Sequence, residues 1–144
     1  MKTALILSSC FAALLLMTGC QTAAQTSNVP LEGTDWILAE LNGQPVVFGH
    51  NQRTSTLKLD PATKRASGMS GVNRFSGPYE LNGSKLKFGN TMGTRMAGPP
   101  EAMARETAFL TSLQQVSSWK ITGHTLELAN GARTLLKFTH QSAP

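Results

Sequence analysis

The chain has 144 residues, with 13 lysines and arginines against eight aspartates and glutamates, which gives a net charge of +5. Both cysteines, Cys10 and Cys20, lie near the amino terminus, so the remaining chain can form neither a disulfide nor a thiolate metal site. About 110 residues follow the first 30, which is enough for one domain.

The first residues have the pattern of an export signal. Lys2 supplies a positive charge, and an apolar stretch covers residues 4–17, interrupted only by Ser8 and Ser9. This stretch is typical of a signal peptide and is too short for a bilayer span, which takes about 20 residues. We therefore predict export, which excludes nucleic acid as a partner.

The four residues Met-Thr-Gly-Cys at 17–20 resemble the lipobox of bacterial lipoproteins, with Met17 in the place of the usual leucine. The resemblance implies that a signal peptide, residues 1–19, is removed and that Cys20 carries diacylglyceryl and N-acyl (palmitate-type) chains. Gln21 replaces the aspartate that favours inner-membrane retention, so we expect a lipid anchor in the outer membrane, facing the periplasm. An ordinary secretory signal with a coincidental cysteine is the alternative.

The mature chain divides into a tether and a domain. Residues 20–30 are polar and lack periodicity after the cysteine, which predicts an acylated amino terminus and a flexible tether. Residues 31–140 form the predicted domain, and we expect it to be monomeric. Loss of Lys2 leaves a mature charge of +4, from +5 less one. This scattered charge either attracts an anionic lipid or only solvates the surface.

Turn signals divide the domain into short strands. Asn-Gly pairs at 42–43, 82–83 and 130–131 are typical of type I′ hairpin turns, and Thr122-Gly123 predicts a further reversal. Residues 60–63, Asp-Pro-Ala-Thr, predict another turn. Alternating polar and apolar residues between these turns predict antiparallel strands. The predicted strands are 36–41, 46–48, 56–59, 65–69, 79–81, 85–88, 119–121, 125–128 and 133–139.

One segment departs from this pattern. Residues 99–101, Pro-Pro-Glu, have the composition of a helix start, and an amphipathic helix is predicted over 100–117. Its apolar residues recur at helical spacing: Ala102, Phe109, Leu113 and Val116. The fold class is therefore mostly β (α+β): a strongly curled antiparallel sheet, closed into a small barrel, with one helix inserted before the last strands.

Three motifs occur in order along the domain. Residues 31–38 read LEGTDWIL, residues 67–79 read SGMSGVNRFSGPY, and residues 94–98 read TRMAG. They resemble the L-x-G-T-x-W-x-L, S-G-x-x-G-C-N-R-F-x-G-x-Y and T-R-M-A-C motifs of the META domain family, which includes the heat-shock lipoprotein HslJ. The resemblance covers residues 31–139, including a closing hairpin.

The resemblance implies a lipocalin-like fold and a role in envelope stress, including tolerance of some antibiotics. It supplies no catalytic residues. Val72 and Gly98 stand where many family members have cysteines, and their joint replacement is expected if those cysteines form a disulfide. A disulfide of this kind stabilises by about 2–4 kcal/mol, so its absence must be offset by the core.

Two of the motifs contain the candidate recognition surface. In the functional interpretation the two loops meet and their arginines bind an anion. In the structural interpretation, which we favour, Asn73 and Thr94 bind backbone groups of tight turns while Phe75 and Met96 fill the core. The candidate residues are Asn73, Arg74, Phe75, Thr94, Arg95 and Met96.

No catalytic constellation is present in the sequence. The histidines His50, His124 and His140 lack metal-ligand spacing, so we expect no metal and no cofactor. Residues 67–71 lack the Gly-x-Ser-x-Gly order of a nucleophile elbow. Trp36 and Trp119 are interpreted as sheet anchors rather than a sugar platform.

We therefore expect a non-enzymatic envelope lipoprotein that binds a protein partner or supports envelope integrity and antibiotic tolerance under stress. One alternative is a barrel that encloses a small ligand or lipid, since barrels of this size hold cavities. Another is an inhibitor of a periplasmic hydrolase that acts through the loop 49–54.

Overall fold

The computed structural model describes residues 28–50 and 52–140. The predicted signal peptide, the predicted lipidation site at Cys20, and Gln21 lie outside the described residues. In the described part of the chain, none of the helical segments has the length and hydropathy of a transmembrane span. The elements are β1 (Trp36–Leu41), β2 (Gln44–Pro45), β3 (Thr56–Asp60), β4 (Arg65–Met69), β5 (Arg74–Asn82), β6 (Lys85–Phe88), β7 (Met92–Gly93), α1 (Pro100–Gln114), β8 (Ser118–Thr122), β9 (Thr125–Asn130) and β10 (Arg133–Thr139).

The strands form one antiparallel sheet that curls into a ring. Successive neighbours are β1, β3, β4, β5, β6, β8, β9 and β10, and β10 pairs again with β1. The pairing of β6 with β8 is limited to the single register pair Lys85 and Ser118, so the ring is nearly open there. The predicted mostly β fold with a curled antiparallel sheet and one helix is confirmed, although the ring is not a regular barrel.

Alternation along each strand explains why the ring has an apolar interior. In β6, Leu86 and Phe88 are buried while Lys85 and Lys87 are exposed, as the sequence predicts. The helix adds Phe109 to the same core, where its ring lies 5.5 Å from that of Phe75. The interior is therefore filled by side chains from both the sheet and the helix.

The hairpin turns follow two different rules. At Asn42-Gly43 both residues have positive φ, 51° and 78°, as a type I′ turn requires. In the other hairpins, Asn82 pairs with Lys85 and Asn130 with Arg133, so the asparagine ends the strand and glycine begins the two-residue turn. The prediction of an Asn-Gly turn centre is wrong at these two places. The pairing of the strands shifts the centre of each turn by one residue towards the carboxyl terminus.

Several other element bounds differ from the prediction, the largest shift being in β5, which begins at Arg74 rather than at residue 79. The strand predicted at 46–48 is absent, and β1 pairs instead with the two residues of β2. The helix ends at Gln114 rather than at residue 117, and Val116 is buried just after it. Strand β7 was not predicted, because a two-residue strand has no periodicity to detect. Ordered contacts also begin before Leu31, since Val29 N donates to Gly123 O at 3.1 Å.

Candidate recognition site

The side chain of Asn73 joins the central motif to the segment that precedes the helix. Asn73 is only 4% exposed. Its Oδ1 accepts hydrogen bonds from Met96 N at 2.7 Å and from Thr94 Oγ1 at 2.8 Å. Its Nδ2 donates to Met96 O at 3.1 Å. One buried amide thus fixes two loops against each other, whereas the structural interpretation placed the bonds of Asn73 and Thr94 within their own turns.

Thr94 extends the same junction. Its Oγ1 also accepts from Arg74 N at 3.2 Å, and Thr94 N donates to Arg74 O at 3.1 Å. These bonds continue the pairing of β5 with β7 by one residue beyond Gly93. The two loops that the sequence singles out are therefore in direct contact.

The third member of the junction is Glu106 in α1, whose buried carboxylate accepts hydrogen bonds from the central motif. Asn73 N donates to Oε2 at 2.8 Å, Val72 N donates to Oε2 at 3.1 Å, and Asn73 Nδ2 donates to Oε1 at 2.9 Å. Gly71 allows this approach, because a Cβ atom there would lie 3.3 Å from Glu106 Cβ at a φ of 155°. The helix is thereby fastened to the motif through one acidic side chain.

Burial and hydrogen bonding act in opposite directions on this carboxyl group. Glu106 is 8% exposed, and burial alone raises the pKa of a carboxyl group. The hydrogen bonds from Asn73, together with those from neighbouring residues, outweigh burial and lower the pKa of Glu106 below its usual value. Glu106 is therefore an anion in the folded protein at neutral pH, held by amide dipoles rather than by a cation.

Sequence reasoning missed Glu106, although a signal was present. The residue lies on the helix face that carries Ala102, Phe109 and Leu113, all of which are buried. An acidic residue on the apolar face of a helix is expected to be buried, and its carboxylate then needs hydrogen-bond donors from other parts of the chain. The sequence does not show which donors these are, because they come from a loop more than 30 positions earlier.

The arginines of the two motifs lie on the surface beside this junction. Arg74 and Arg95 are exposed and line a depression of about 300 Å³ together with Phe75, whose ring is buried beneath it. No carboxylate in the described part of the chain lies within 4.0 Å of either arginine. Two cationic groups therefore face solvent without an acidic partner.

Met96 does not fill the core, and that part of the structural interpretation is wrong. It is 49% exposed, and Met92 in β7 is 72% exposed. The reason is geometric: Asn73 binds both backbone groups of Met96, which leaves the thioether directed away from the core. The structure thus brings together Arg74, Met92, Arg95 and Met96 on one surface, which we call the motif surface.

Other predicted features lie elsewhere. No group of three or more histidine, cysteine, aspartate or glutamate side chains among the described residues could hold a metal ion. His124 and His140 stack with their ring centroids 6.3 Å apart at the end of the ring opposite the β1–β2 turn, far along β10 from Arg133. Trp36 is a fully buried anchor, as predicted, whereas Trp119 is only half-buried.

In the loop 49–54, which was predicted as a possible inhibitory segment, the described residue Gln52 contacts the helix. Arg105 Nη2 donates to Gln52 Oε1 at 2.9 Å, and the Arg105 guanidinium lies 5.2 Å from the centre of the Phe48 ring. Gln52 N also donates to Gly49 O at 2.9 Å. These contacts give little support to an inhibitory loop that enters the cleft of a hydrolase.

A family model described as the META domain matches residues 29–143. No curated protein is significantly similar to the chain. An NMR structure of a protein from Burkholderia xenovorans is 28% identical, with a TM-score of 0.63, over 78% of this chain and 85% of that one. A second NMR structure is 25% identical, with a TM-score of 0.59, over 76% and 91% of the two chains.

A crystal structure of a DUF4847 family protein from Bacteroides vulgatus has the same fold at 15% identity. Its TM-score is 0.56, over 79% of this chain and 96% of that one. At this identity the similarity concerns the fold alone. The curled sheet with a single helix therefore occurs with very different sequences, and the fold by itself does not assign an activity.

Proposed function

The chain belongs to the META domain family, and on that premise we propose that it is a lipid-anchored envelope protein that binds a partner protein through the motif surface. In this proposal Cys20 carries the acyl chains, the outer membrane holds them, and the domain acts in the periplasm without catalysing a reaction. The support for the anchor is the export signal followed by the lipobox-like residues 17–20.

The single observation that carries the proposal is that exposed methionine thioethers and exposed arginines lie side by side on one surface. Met92 and Met96 are among the few large apolar side chains that are exposed in the described residues. Arg74 and Arg95 lie beside them. Methionine and arginine are both enriched in the cores of protein interfaces, since the thioether adapts its shape and the guanidinium binds carboxylates through two bonds.

The backbone that carries the motif surface is held in place by hydrogen bonds, although its methionine and arginine side chains are flexible. Asn73 fixes the backbone of Met96, and Glu106 fixes the backbone of Asn73 to α1. A fixed backbone reduces the entropy that is lost on binding, which raises affinity without further contacts. Because no carboxylate of the described residues pairs with these arginines, we expect the partner to present carboxylates to this surface.

A ligand enclosed by the ring is less well supported. The interior positions are filled by side chains such as Trp36, Phe109 and Phe138, each fully buried. The depressions beside the candidate residues open at the surface. A lipid or small molecule would therefore bind on the outside of the ring.

Site-specific crosslinking in intact cells tests the binding proposal. A photoreactive amino acid replaces Met96, and the matched control replaces Val47, which is 84% exposed but lies outside the motif surface. We expect one discrete adduct with an envelope protein from position 96 and none of that size from position 47. Adducts that are equally frequent at both positions would contradict a specific surface.

A complementation experiment connects the motif surface with the phenotype. A deletion strain is expected to show increased envelope permeability and antibiotic sensitivity, and the wild-type gene should restore both. The R74S/R95S variant should be exported and stable but should fail to restore them, whereas R133S, which removes an exposed arginine elsewhere, should succeed. Full restoration by R74S/R95S would contradict the proposed role of the motif surface.

A further inference from the structure

A second surface lies where the chain enters the domain. The described chain begins at Asn28, and residues 28–31 form one wall of a groove of about 470 Å³. The other walls are the β5–β6 turn at 83–84 and residues 119–121 of β8. We call this the amino-terminal groove. It lies at the place where β6 and β8 separate after their single register pair, Lys85 and Ser118.

Hydrogen bonds hold the walls of this groove in place. Gly123 N donates to Asn28 Oδ1 at 2.8 Å, and Val29 N donates to Gly123 O at 3.1 Å. On the other side Trp119 N donates to Ser84 O at 3.1 Å, and Trp119 Nε1 donates to Gly83 O at 2.9 Å. These hydrogen bonds therefore fix the position of the segments that form the walls of the groove.

The lining of the groove is apolar and its surroundings are cationic. Trp119, Ile121 and Val29 pack against the edge of the core but stay half-exposed. Lys120 lies in the lining, and Lys85 follows the turn at 83–84. No carboxylate among the described residues lies within 4.0 Å of either lysine. Glu127, the register partner of Lys120, lies 4.0 Å from Lys137 instead.

We propose that the amino-terminal groove docks on the phospholipid bilayer, with Trp119 and Ile121 at the boundary between headgroups and acyl chains and with Lys85 and Lys120 on anionic headgroups. An indole with an apolar ring and a bonded N–H suits this boundary, and lysines beside it are attracted to the negative surface. This inference rests on the proposed lipid anchor at Cys20 and names the surface that faces the membrane.

The length of the chain before the groove supports this occupant. Eight positions separate Cys20 from Asn28, and eight residues span at most about 28 Å in any conformation. The proposed anchor therefore keeps Asn28, in the wall of the groove, within about 28 Å of the acylated residue. The anchor at Cys20 limits the distance between the groove and the bilayer, but it sets no such limit on the distance between the groove and a second copy of the chain.

Docking at the groove would leave the motif surface free. Arg74 begins β5 and Asn82 ends it, next to the groove turn at 83–84. A strand of nine residues separates its ends by roughly 26 Å. The motif surface would therefore face away from the bilayer, towards the periplasm, where a partner can reach it.

Tryptophan fluorescence tests the proposal, because the two tryptophans report on different places. The mature protein, purified from envelopes, is bound to vesicles of phosphatidylethanolamine and phosphatidylglycerol that contain a phosphatidylcholine with brominated acyl chains. We expect bromine to quench the Trp119 part of the emission and W119Y to abolish this quenching. Trp36, which is 0% exposed, supplies an unquenched internal reference in both proteins.

Two further comparisons test whether the lysines bind anionic headgroups and whether the occupant of the groove is a bilayer. Quenching should increase with the phosphatidylglycerol fraction, and the K85S/K120S variant should lose that dependence. The control variant K58S should keep it, because Lys58 pairs with Asp35 at 3.1 Å. A protein that is bound to vesicles but shows equal emission with and without bromine would overturn the proposal. A blue shift of Trp119 emission that needs high protein concentration and no vesicles would also overturn it, in favour of a second copy.

The anchor and the groove are measured separately. The mass of the purified protein reports whether Cys20 is acylated. An unmodified amino terminus together with Trp119 quenching would overturn the proposed anchor and leave the groove supported. An acylated protein without quenching would overturn the groove and leave the anchor supported.

Discussion

Gly98 packs directly against the side chain of Val72. A Cβ atom placed on Gly98 would lie 2.4 Å from Val72 Cγ2, 3.0 Å from Val72 Cγ1 and 3.3 Å from Val72 Cβ. These are the two positions at which the family resemblance implies a cysteine pair in other members. In this chain the branched side chain of Val72 occupies the space beside Gly98, which has no side chain of its own.

We expect G98A to destabilise the domain by about 1–3 kcal/mol, because the added methyl group overlaps a side chain that cannot move away by rotation alone. The double variant V72A/G98A should recover part of this loss, since it removes both Cγ atoms. Urea unfolding of the two single variants and the double variant measures the coupling. Strictly additive effects would show that the two residues do not compete for one space.

The V72C/G98C variant should form a disulfide when it is exported or oxidised. The distance from the built Cβ of Gly98 to Val72 Cβ, 3.3 Å, is close to the 3.5–4.5 Å usual for disulfides. Closing a loop of about 26 residues is expected to stabilise the oxidised protein by roughly 3–4 kcal/mol over its reduced form. Thiol titration and unfolding with and without reductant measure this, and two free thiols after oxidation would disprove the proximity.

Replacing Glu106 with glutamine should destabilise the protein by about 1–3 kcal/mol at neutral pH. In either orientation the glutamine N–H₂ would face a donor, either the backbone N–H groups of Val72 and Asn73 or Asn73 Nδ2, which leaves a buried donor without an acceptor. Urea unfolding at pH 7 measures the loss. The matched control is E80Q, which changes an exposed acid in β5 and should have little effect.

The same variant should change the dependence of stability on pH. Because the folded-state pKa of Glu106 lies below its ordinary value of 4.5, the unfolded chain takes up a proton first as the pH falls. This stabilisation is complete above the ordinary value and is lost as the pH falls through the lower folded value. The difference in unfolding free energy between wild type and E106Q should therefore shrink below pH 4.5, and a constant difference would argue against the buried anion.

Asn73, which is buried beneath the motif surface, should be sensitive to substitution because it holds the backbone of Met96. N73A removes the acceptor of Met96 N and the donor to Met96 O, and we expect a loss of about 2–3 kcal/mol with faster amide exchange at Met96. N82A, which truncates an exposed asparagine at the end of β5, is the matched control. Unchanged exchange at Met96 would show that the segment 94–98 is held by other contacts.

Local signals in the sequence were enough to predict much of the sheet. Alternation placed Leu86 and Phe88 inside and their lysine neighbours outside, and turn residues separated the strands. Register was harder to predict, as Asn82 and Asn130 show, because a shift of one residue depends on the pairing of whole strands. The candidate site was predicted as a meeting of two loops, but Met92 and Glu106 were missing from it.

The sequence by itself determined most of the longer strands, the helix that begins at Pro100, and the residues that occupy the motifs, because these depend on neighbours a few positions apart. Only the tertiary structure decided that β10 closes on β1, that Glu106 binds the backbone of Asn73, and that Met96 faces solvent. Each of these joins residues that are distant in the chain. Such contacts depend on how the sheet curls, and no local pattern of residues specifies that.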